Sequence, residues 1–350
     1  MPYANYAKQG KRSNRMKKLI NKPEDFVKEF LDGIALAYSD RLKLVGKSGN
    51  VIARAKPKET GKVAVVTAGG SGHLPVFLGY VGEGLLDGCA VGNVFASPSS
   101  EAMFEMIQYV DSGAGVLCLY GNYSGDVLNL EMARDEADFA SIKTAKVLVS
   151  DDVASHPKTD KDKRRGVAGM AYAFKVAGAA AEEGLSLEEV EAITREALNN
   201  ICTMGVALSP CIIPTVGKPT FQIGDDQLEL GMGIHGEPGI MISEMKSADK
   251  IVDIILEKLL DDVPLTRGDE VSIMVNGLGA TPLEELLIIY RRVHKALRQR
   301  DITIYMPHIG EFATSMEMAG CSITLFKLNA QLKRLLRAPA STPFYTNENK

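Results

Sequence analysis

The sequence predicts an α/β protein of two domains, each a mostly parallel or mixed sheet flanked by helices. Three observations support this fold class. The chain has 350 residues, which is more than one small core requires, so two domains are the natural expectation. Runs of β-branched residues alternate with amphipathic helical patterns, as they do in α/β sheets. Glycine-rich segments directly follow two of these runs, and such sheets bind ligands beyond the carboxyl ends of their strands.

In the first half, apolar runs predict buried strands at residues 62–67 (KVAVVT), 115–120 (GVLCLY) and 146–150. These runs are too short and too rich in β-branched residues for buried helices. Helices are predicted from Pro23, because proline suits the first helical position, and from Val127. Strands and helices therefore alternate in this part of the chain.

The chain becomes alanine-rich and helical from residue 168, and Ser186 with Glu189 has the spacing of a capping box. A second α/β pattern follows, in which Thr281 and Glu284 repeat that spacing. Its predicted strands are residues 206–213, 271–275, 302–306 and 323–328, and its predicted helices are residues 247–260 and 282–297.

These patterns divide the chain into a mobile tail at residues 1–15, a first α/β domain at residues 16–195 and a second at residues 196–350. The net charge is −4, so the chain as a whole has no electrostatic attraction to nucleic acid or to an anionic membrane, and neither is expected as its main partner. No apolar run approaches the roughly 18 residues of a membrane span. The five cysteines are odd in number and none are spaced as zinc ligands, so a reducing cytoplasm is expected.

The segment AGGSGH at residues 68–73 follows the first predicted strand. Glycines at this point let backbone amides approach a small polar ligand that a side chain would block. His73 at its end can donate a hydrogen bond or act as an acid or base near neutral pH. The alternative is a tight turn with a histidine on the surface.

The segment GNYSGD at residues 121–126 follows the second predicted strand. Asp126 is suitably placed to accept a proton from a substrate hydroxyl group. Aspartate is also a common helix cap, so the alternative is that Asp126 only caps the following helix.

The segment GMGIHGEPG at residues 231–239 shapes four glycines and a proline around His235. Neutral imidazole is nucleophilic, and histidine forms covalent intermediates in several enzymes, so His235 is the candidate nucleophile. The alternative is a solvated loop histidine. Ordinary surface roles are expected for His156 and His294, whereas the role of His308 stays open.

The sequence contains no GxxxxGK[ST] phosphate loop, and its glycines near Gly82 and Gly277 do not have the GxGxxG spacing of dinucleotide binding. A nucleotide taking part in the reaction is therefore expected on another chain. No metal site and no cofactor are predicted for this one.

Together, the three glycine-rich segments resemble those of the K subunit of dihydroxyacetone kinase. The resemblance covers residues 16–345 and includes further motifs in a fixed order. These are VGNVFASPS (91–99), SDDVA (150–154), RRGVAG (164–169), GKPTF (217–221) and SMEMAGCSITLFKL (315–328).

This resemblance implies a two-domain homodimer in which His235 forms a hemiaminal with the carbonyl carbon of a short ketose. It further implies that His73 and Asp126 contact the hydroxyl groups and assist phosphoryl transfer. The backbone around Gly70, Ser71 and Gly72 would line the sugar site. In the family a separate L subunit or domain carries the nucleotide, ATP or ADP, with its magnesium ions. Because this chain ends before such a domain, we expect it to be inactive alone.

Two positions depart from the family pattern. Gly121 stands where lysine usually precedes NYSGD, and Leu74 stands where glutamate commonly follows the histidine. Both changes remove charged groups from the substrate-binding region around Gly121. The resemblance therefore leaves dihydroxyacetone and a four-carbon ketose such as erythrulose both open as substrates.

Two other functions compete with the kinase. Some relatives of this family are non-catalytic ketose sensors that act as coactivators of a transcription regulator, and the missing lysine fits such a role too. Asp126 and His73 favour the enzyme, because a sensor does not need acid and base groups. An aldolase-like lyase is disfavoured, because none of the three glycine-rich segments contains a lysine for a Schiff base.

Overall fold

The computed structural model describes residues 17–348. The tail predicted at residues 1–15 lies outside the described residues. Within residues 17–348, no helix has the length and apolar character needed to cross a membrane.

The first sheet is built on apolar, mostly β-branched runs. Its strands are β1 (Leu42–Val45), β2 (Val51–Arg54), β3 (Ala64–Ser71), β4 (Gly88–Val94), β5 (Val116–Gly121) and β6 (Thr144–Val149). Their order is β1-β2-β4-β3-β5-β6. The last four are parallel to one another, and β1 and β2 extend the sheet as antiparallel strands.

Helices cover both faces of this sheet, as its buried strands require. The helices of this part are α1 (Phe26–Ala37), α2 (Ser100–Val110), α3 (Ser124–Phe139), α4 (Met170–Glu182) and α5 (Leu187–Asn199). The apolar faces of α2 and α3 pack on one side of the sheet, and those of α4 and α5 pack on the other.

The second sheet is mixed. Its strands are β7 (Ile201–Ser209), β8 (Gln227–Leu230), β9 (Met241–Glu244), β10 (Glu270–Gly277), β11 (Thr303–Ile304), β12 (His308–Gly310) and β13 (Ala319–Leu328). Their order is β11-β10-β13-β7-β8-β9, and β12 also pairs with β10. Strand β10 is parallel to β11 and β12 but antiparallel to β13. Helices α6 (Ala248–Asp262) and α7 (Leu283–Arg298) share its second apolar core. The predicted fold class is thus confirmed.

The chain then returns to the first sheet. Helix α8 (Ala330–Arg337) is followed by the short pair β14 (Ala340–Ser341) and β15 (Thr346–Asn347). Apolar side chains of α8 share one core with those of α4, and the buried Lys175 ammonium donates to the Leu335 carbonyl at 2.8 Å. The C-terminal segment therefore packs beside the first sheet, and the division at residue 195 stays a prediction.

Two predicted strands have different ends in the structure. Strand β3 continues to Ser71, so Gly69 and Gly70 lie within the sheet rather than in a turn. A Cβ atom on Gly69 would lie 2.4 Å from the Phe77 ring, so close packing explains this glycine. The strand predicted at residues 206–213 already ends at Ser209, just before Pro210, which has no N–H for a sheet.

One of the two predicted capping boxes forms. The Ser186 hydroxyl oxygen accepts the Glu189 backbone N–H, and the Glu189 carboxylate accepts the Ser186 N–H. The box predicted at Thr281 is wrong. Its hydroxyl group donates to the Gly320 carbonyl at 2.6 Å and accepts the Gly320 N–H at 2.8 Å. A tertiary contact with β13 has replaced the local cap.

Candidate functional site

Three adjacent strands of the first sheet bring their loops to the same edge. Strands β4, β3 and β5 are neighbours and parallel, so their carboxyl ends point the same way. Strand β4 leads to Phe95 and Ser97, β3 leads to His73, and β5 leads to Tyr123 and Asp126. The sheet topology thus gathers polar groups that are up to 53 residues apart in sequence (126 − 73).

His73 is buried, with 1% of its surface exposed, so the alternative of a surface histidine is wrong. Its Nδ1 lies 2.8 Å from the Thr314 carbonyl oxygen. Because a carbonyl only accepts hydrogen bonds, Nδ1 carries the proton and Nε2 carries the lone pair. Nε2 is buried with no partner among the described residues. Burial, assisted by nearby His235, lowers the pKa of His73 to about 3, so its ring is neutral at pH 7.

Asp126 lies in the first turn of α3, but it does not cap the helix. The N-cap position is Tyr123, which makes no side-chain cap bond. The Asp126 carboxyl group is buried, and its Oδ1 has no hydrogen-bond partner in the part of the chain that the structure describes. Burial raises its pKa to about 6, although a hydrogen bond from Ser97 and the proximity of His235 act in the opposite direction. A carboxylate with a free oxygen and a pKa near 6 is suited to accept a proton.

His235 is carried by the loop between β8 and β9 of the second sheet, yet its ring lies among residues of the first. The centroid of the imidazole is 4.7 Å from that of His73, 4.8 Å from that of Tyr123 and 5.4 Å from that of Phe95, each in an edge-to-face arrangement. The structure therefore brings both predicted loop histidines into contact. The site lies where the two sheets meet.

A short segment before β13 ties the two histidine loops together. Thr314 accepts the Nδ1–H of His73 through its carbonyl oxygen. The next residue, Ser315, donates its hydroxyl hydrogen to the carbonyl of Ile234 at 2.5 Å, immediately before His235. Two neighbouring residues of the segment before β13 thus set the positions of both imidazoles.

The glycines expected to line the site lie beside it. Gly72 has a φ of +101°, and a Cβ there would lie 2.8 Å from the Phe95 ring. A Cβ atom on Gly70 would lie 2.7 Å from the backbone nitrogen of Ala96. Ser71 turns its hydroxyl group away from the loop histidines and donates it to the Gly92 carbonyl, so only its backbone can face a ligand.

Gly121 is the last residue of β5 and is buried. A Cβ atom at this position would lie 3.2 Å from Met170 Sδ and 3.2 Å from the ring of Tyr123. The Tyr123 hydroxyl group donates to the Gly166 carbonyl at 2.9 Å, which holds the ring between Gly121 and His235. The space beside residue 121 is therefore filled by an aromatic ring.

Sequence reasoning missed Glu237, although it lies in the quoted segment GMGIHGEPG. Its Oε1 is 2.8 Å from His235 Nδ1, and its Oε2 accepts the His235 backbone N–H at 2.9 Å. Burial would raise the pKa of Glu237, but its hydrogen bond with the imidazole and the charge of that ring outweigh burial and lower it to about 2. The spacing of histidine and glutamate two residues apart was the available signal.

The remaining histidines lie elsewhere. His308 is buried in a network with Tyr172 and Tyr345, and burial lowers its pKa to about 4. His294 lies on α7 beside Tyr290, and the carbonyl oxygen of His156 accepts a hydrogen bond from an arginine. None of these three rings contacts His73 or His235 among the ring pairs of residues 17–348.

The fold and the site define a two-sheet α/β protein in which a buried imidazole, a half-buried imidazole and a buried carboxylate lie where the sheets meet. The Dak1 domain family matches residues 32–344, and the chain belongs to that family.

Similar proteins bear kinase names. The dihydroxyacetone-binding subunit DhaK of a PTS-dependent dihydroxyacetone kinase 2 from Listeria innocua is 42% identical, covering 94% of this chain and 99% of that protein. The D-erythrulose kinase of Mycolicibacterium smegmatis is also 42% identical, over 94% of this chain but 56% of that protein. The solved structure of the dihydroxyacetone kinase operon co-activator Dha-DhaQ is 29% identical with a TM-score of 0.86, covering 94% of this chain and 100% of that one.

The raised pKa of Asp126 generates a prediction about stability. A carboxyl group with a folded pKa of about 6 and an ordinary value of 3.8 stabilises the fold below pH 3.8, and that contribution is lost as pH rises through 6. Asp126→Asn should therefore be more stable than the wild type at pH 8, by up to about 3 kcal/mol, and this advantage should vanish near pH 3.5. Urea denaturation of both proteins at both pH values measures the difference in the free energy of unfolding.

The matched control is Asp135→Asn, which changes an exposed aspartate on the same helix. Its effect on the free energy of unfolding should be small at both pH values. A loss of stability in Asp126→Asn at pH 8 would contradict a buried carboxyl group whose pKa is raised.

Proposed function

We propose that this chain is the ketose-binding subunit of a dihydroxyacetone-type kinase and holds a short ketose covalently on His235. The observation that carries the proposal is the contact between the imidazoles of His235 and His73 beside a buried carboxylate. Nε2 of His235 adds to the carbonyl carbon, so capture selects ketoses over polyols such as glycerol, which have no carbonyl. Covalent capture also orients the hydroxyl group to be phosphorylated.

The other two polar groups take complementary roles in this proposal. Nε2 of His73 is a hydrogen-bond acceptor, because Nδ1 holds the proton, so it receives a hydroxyl hydrogen of the bound sugar. Oδ1 of Asp126 accepts the proton of the reacting hydroxyl group as that oxygen attacks the phosphoryl group. Both atoms are buried without a partner among residues 17–348, which supports a polar ligand as their missing partner.

The phosphoryl donor is proposed to lie on a partner. The sequence has no phosphate-binding loop, and residues 17–348 contain no group of three or more histidine, cysteine and acidic side chains that could hold a metal. An L-type subunit carrying ATP or ADP with magnesium fits these observations. The five cysteines are all unpaired and buried, which supports a cytoplasmic location.

The substrate is proposed to be dihydroxyacetone or a related short ketose such as erythrulose. Relatives of similar identity carry both names. Gly121 offers no cationic side chain, and the Tyr123 ring lies beside it. Position 121 therefore supplies no cationic hydrogen-bond donor to the distal hydroxyl groups of the sugar. Binding at this position consequently does not favour dihydroxyacetone over a longer ketose.

A ketose-sensing coactivator of a transcription regulator is the second candidate function. The similarity to the Dha-DhaQ co-activator over nearly the whole chain favours it. The buried, unpartnered Oδ1 of Asp126 favours the kinase, because burying a carboxylate costs stability and a sensor gains nothing from a base.

We also propose that the chain forms a homodimer through the surface of β9 and the first turns of α7. Strand β9 lies at the edge of its sheet, and an open edge can pair with its own copy about a two-fold axis. Met245 and Ile288 line one apolar groove. The exposed apolar side chains around it are Ile240, Met241, Ile242, Leu283 and Leu287.

The capture step predicts one adduct per chain. Native mass spectrometry of the protein with dihydroxyacetone or erythrulose should show a single addition of the intact sugar, and glycerol should give none. His235→Ala should remove the adduct, because the nucleophile is lost. His294→Ala, which changes a histidine on α7, should leave it unchanged. An adduct that persists in His235→Ala would sink the assignment of the nucleophile.

The catalytic role of Asp126 predicts a separation of capture from turnover. With an added L-type subunit, ATP and ketose, Asp126→Asn should lower the rate by ~10²–10⁴-fold, the usual effect of a positioned base. Its adduct on His235 should remain, because carbonyl addition needs only the imidazole. Full turnover in this variant would remove the catalytic role of Asp126, whereas a wild-type protein without turnover would favour the coactivator.

The proposed dimer predicts a molar mass twice that of the chain in light scattering at micromolar concentration. Ile242→Lys should shift the mass to that of a monomer, because a charge would be buried in the apolar contact. Leu36→Lys changes a still more exposed apolar residue, on α1, and should leave the dimer intact. A monomeric wild-type protein would rule out this interface.

A further inference from the structure

We propose that Glu237 is a positioning residue, which holds the imidazole of His235 with its proton on Nδ1 and its lone pair on Nε2. The inference rests on the proposed capture of a ketose by His235, and it names the group that prepares that imidazole for the reaction.

Both oxygens of Glu237 are used on the same residue. Oε1 lies 2.8 Å from the ring nitrogen Nδ1 of His235, and Oε2 accepts the backbone N–H of His235 at 2.9 Å. One contact fixes the ring and the other fixes the main chain to which the ring is attached. A flip of the ring would break the first bond, so Nε2 stays on the side opposite the carboxylate.

The charge on Glu237 decides which nitrogen holds the proton. The pKa of this carboxyl group is about 2, since its hydrogen bond with the imidazole and the charge of that ring outweigh the effect of burial. It is therefore ionised at neutral pH and can only accept a hydrogen bond. The proton between the two groups consequently belongs to Nδ1, and neutral His235 exposes a nucleophilic lone pair at Nε2.

A second charged pair supports the carboxylate from behind. Arg165 Nη1 lies 4.0 Å from Glu237 Oε2. The guanidinium is itself held by Asp152 at 2.7 Å and by the Gly231 carbonyl at 3.1 Å. Both side chains of this pair are largely buried. Because Arg165 is fixed, it keeps a positive charge near the carboxylate without depending on a mobile surface side chain.

The contacts of Glu237 with His235 and Arg165 require glycines in the loop. A Cβ atom on Gly233 would lie 2.1 Å from Glu237 Oε2 and 2.6 Å from Arg165 Nη1, so any side chain there would expel the pair. Gly236 has a φ of +86°, a conformation that favours glycine. The Gly233 N–H donates to the Glu237 carbonyl at 3.0 Å and closes the turn. The loop therefore folds the glutamate back onto the histidine two residues before it.

The addition step balances with water as proton carrier. The Nε2 lone pair forms a bond to the carbonyl carbon, and the π electrons move onto the carbonyl oxygen. That oxygen takes a proton from water, and the positive charge of the imidazolium lies beside the Glu237 carboxylate. The hydroxide that remains leaves to solvent, and the Nδ1 proton stays on the ring. The product is a hemiaminal whose imidazolium charge is balanced by the Glu237 carboxylate, which stays ionised throughout.

Glu237→Gln tests the proposal through two independent measurements. In ligand-free wild-type protein, nitrogen-15 NMR of the histidine side chains should show His235 with its proton on Nδ1. In Glu237→Gln the amide N–H₂ can donate to Nδ1, so the Nε2–H form should increase. The ketose concentration giving half-maximal adduct in native mass spectrometry should rise about 10- to 100-fold, because a charge-assisted hydrogen bond is lost.

The matched control is Glu229→Gln. Glu229 lies in the same part of the chain and is buried, and its Oε1 accepts the Gly239 N–H at 2.7 Å, a bond that glutamine can keep. This variant should retain both the Nδ1–H form of His235 and the wild-type adduct. Glu237→Asp keeps the charge on a shorter side chain, and it should give an intermediate adduct affinity.

The outcomes separate this proposal from the one on which it rests. Wild-type protein with the His235 proton on Nε2 would overturn the positioning role, whatever the variants do. The positioning role would also be overturned if folded Glu237→Gln kept the wild-type tautomer of His235 and the wild-type affinity for the adduct. If the wild type binds no ketose covalently, but holds the Nδ1–H form and loses it in Glu237→Gln, the positioning role is upheld and the capture function falls.

Discussion

The site depends on the contact made by the His235 loop of the second sheet with the strand ends of the first. The ring centroids of His235 and His73 are 4.7 Å apart, and Thr314 and Ser315 hold both loops at once. Thr314 receives the N–H of one ring, and Ser315 fixes the backbone beside the other. A shift of this segment would move both imidazoles together. The relative placement of the two sheets is thus a requirement of the chemistry.

Burial gives the polar groups of the site their chemical character. His73 is neutral because burial opposes its charged form, and its proton is on Nδ1 because Thr314 offers an acceptor there. Burial raises the pKa of Asp126, and the hydrogen bond from Ser97 does not offset that effect. Buried polar atoms without partners are costly. A site that keeps two such atoms, Nε2 of His73 and Oδ1 of Asp126, gives up stability in order to be ready for a polar ligand.

Glu237 is in the opposite situation, because its hydrogen bonds and the nearby charges favour its charged form and together outweigh the effect of burial. It receives hydrogen bonds from His235 and lies near Arg165. Two carboxyl groups of one site therefore have pKa values of about 2 and about 6. Such a separation of pKa values is how a site assigns different roles to chemically identical groups. The lower value suits a permanent hydrogen-bond acceptor, and the higher one suits a base that exchanges protons near neutral pH.

The sequence alone determined the features that depend on neighbouring residues. Apolar runs and capping spacing predicted α5 and most core strands, and the glycine-rich segments identified His73, Asp126 and His235, because periodicity and backbone freedom are local properties. Several elements have patterns too short or weak to be predicted, namely strands β1, β2, β4, β8, β9, β12, β14 and β15 and helices α2 and α8. The tertiary structure alone decided that Thr281 bonds to Gly320 rather than capping α7, and that Ser97, Phe95 and Thr314 join the site. Those contacts link residues far apart in the chain, and only the packing of the two sheets brings them within hydrogen-bonding or ring-contact distance.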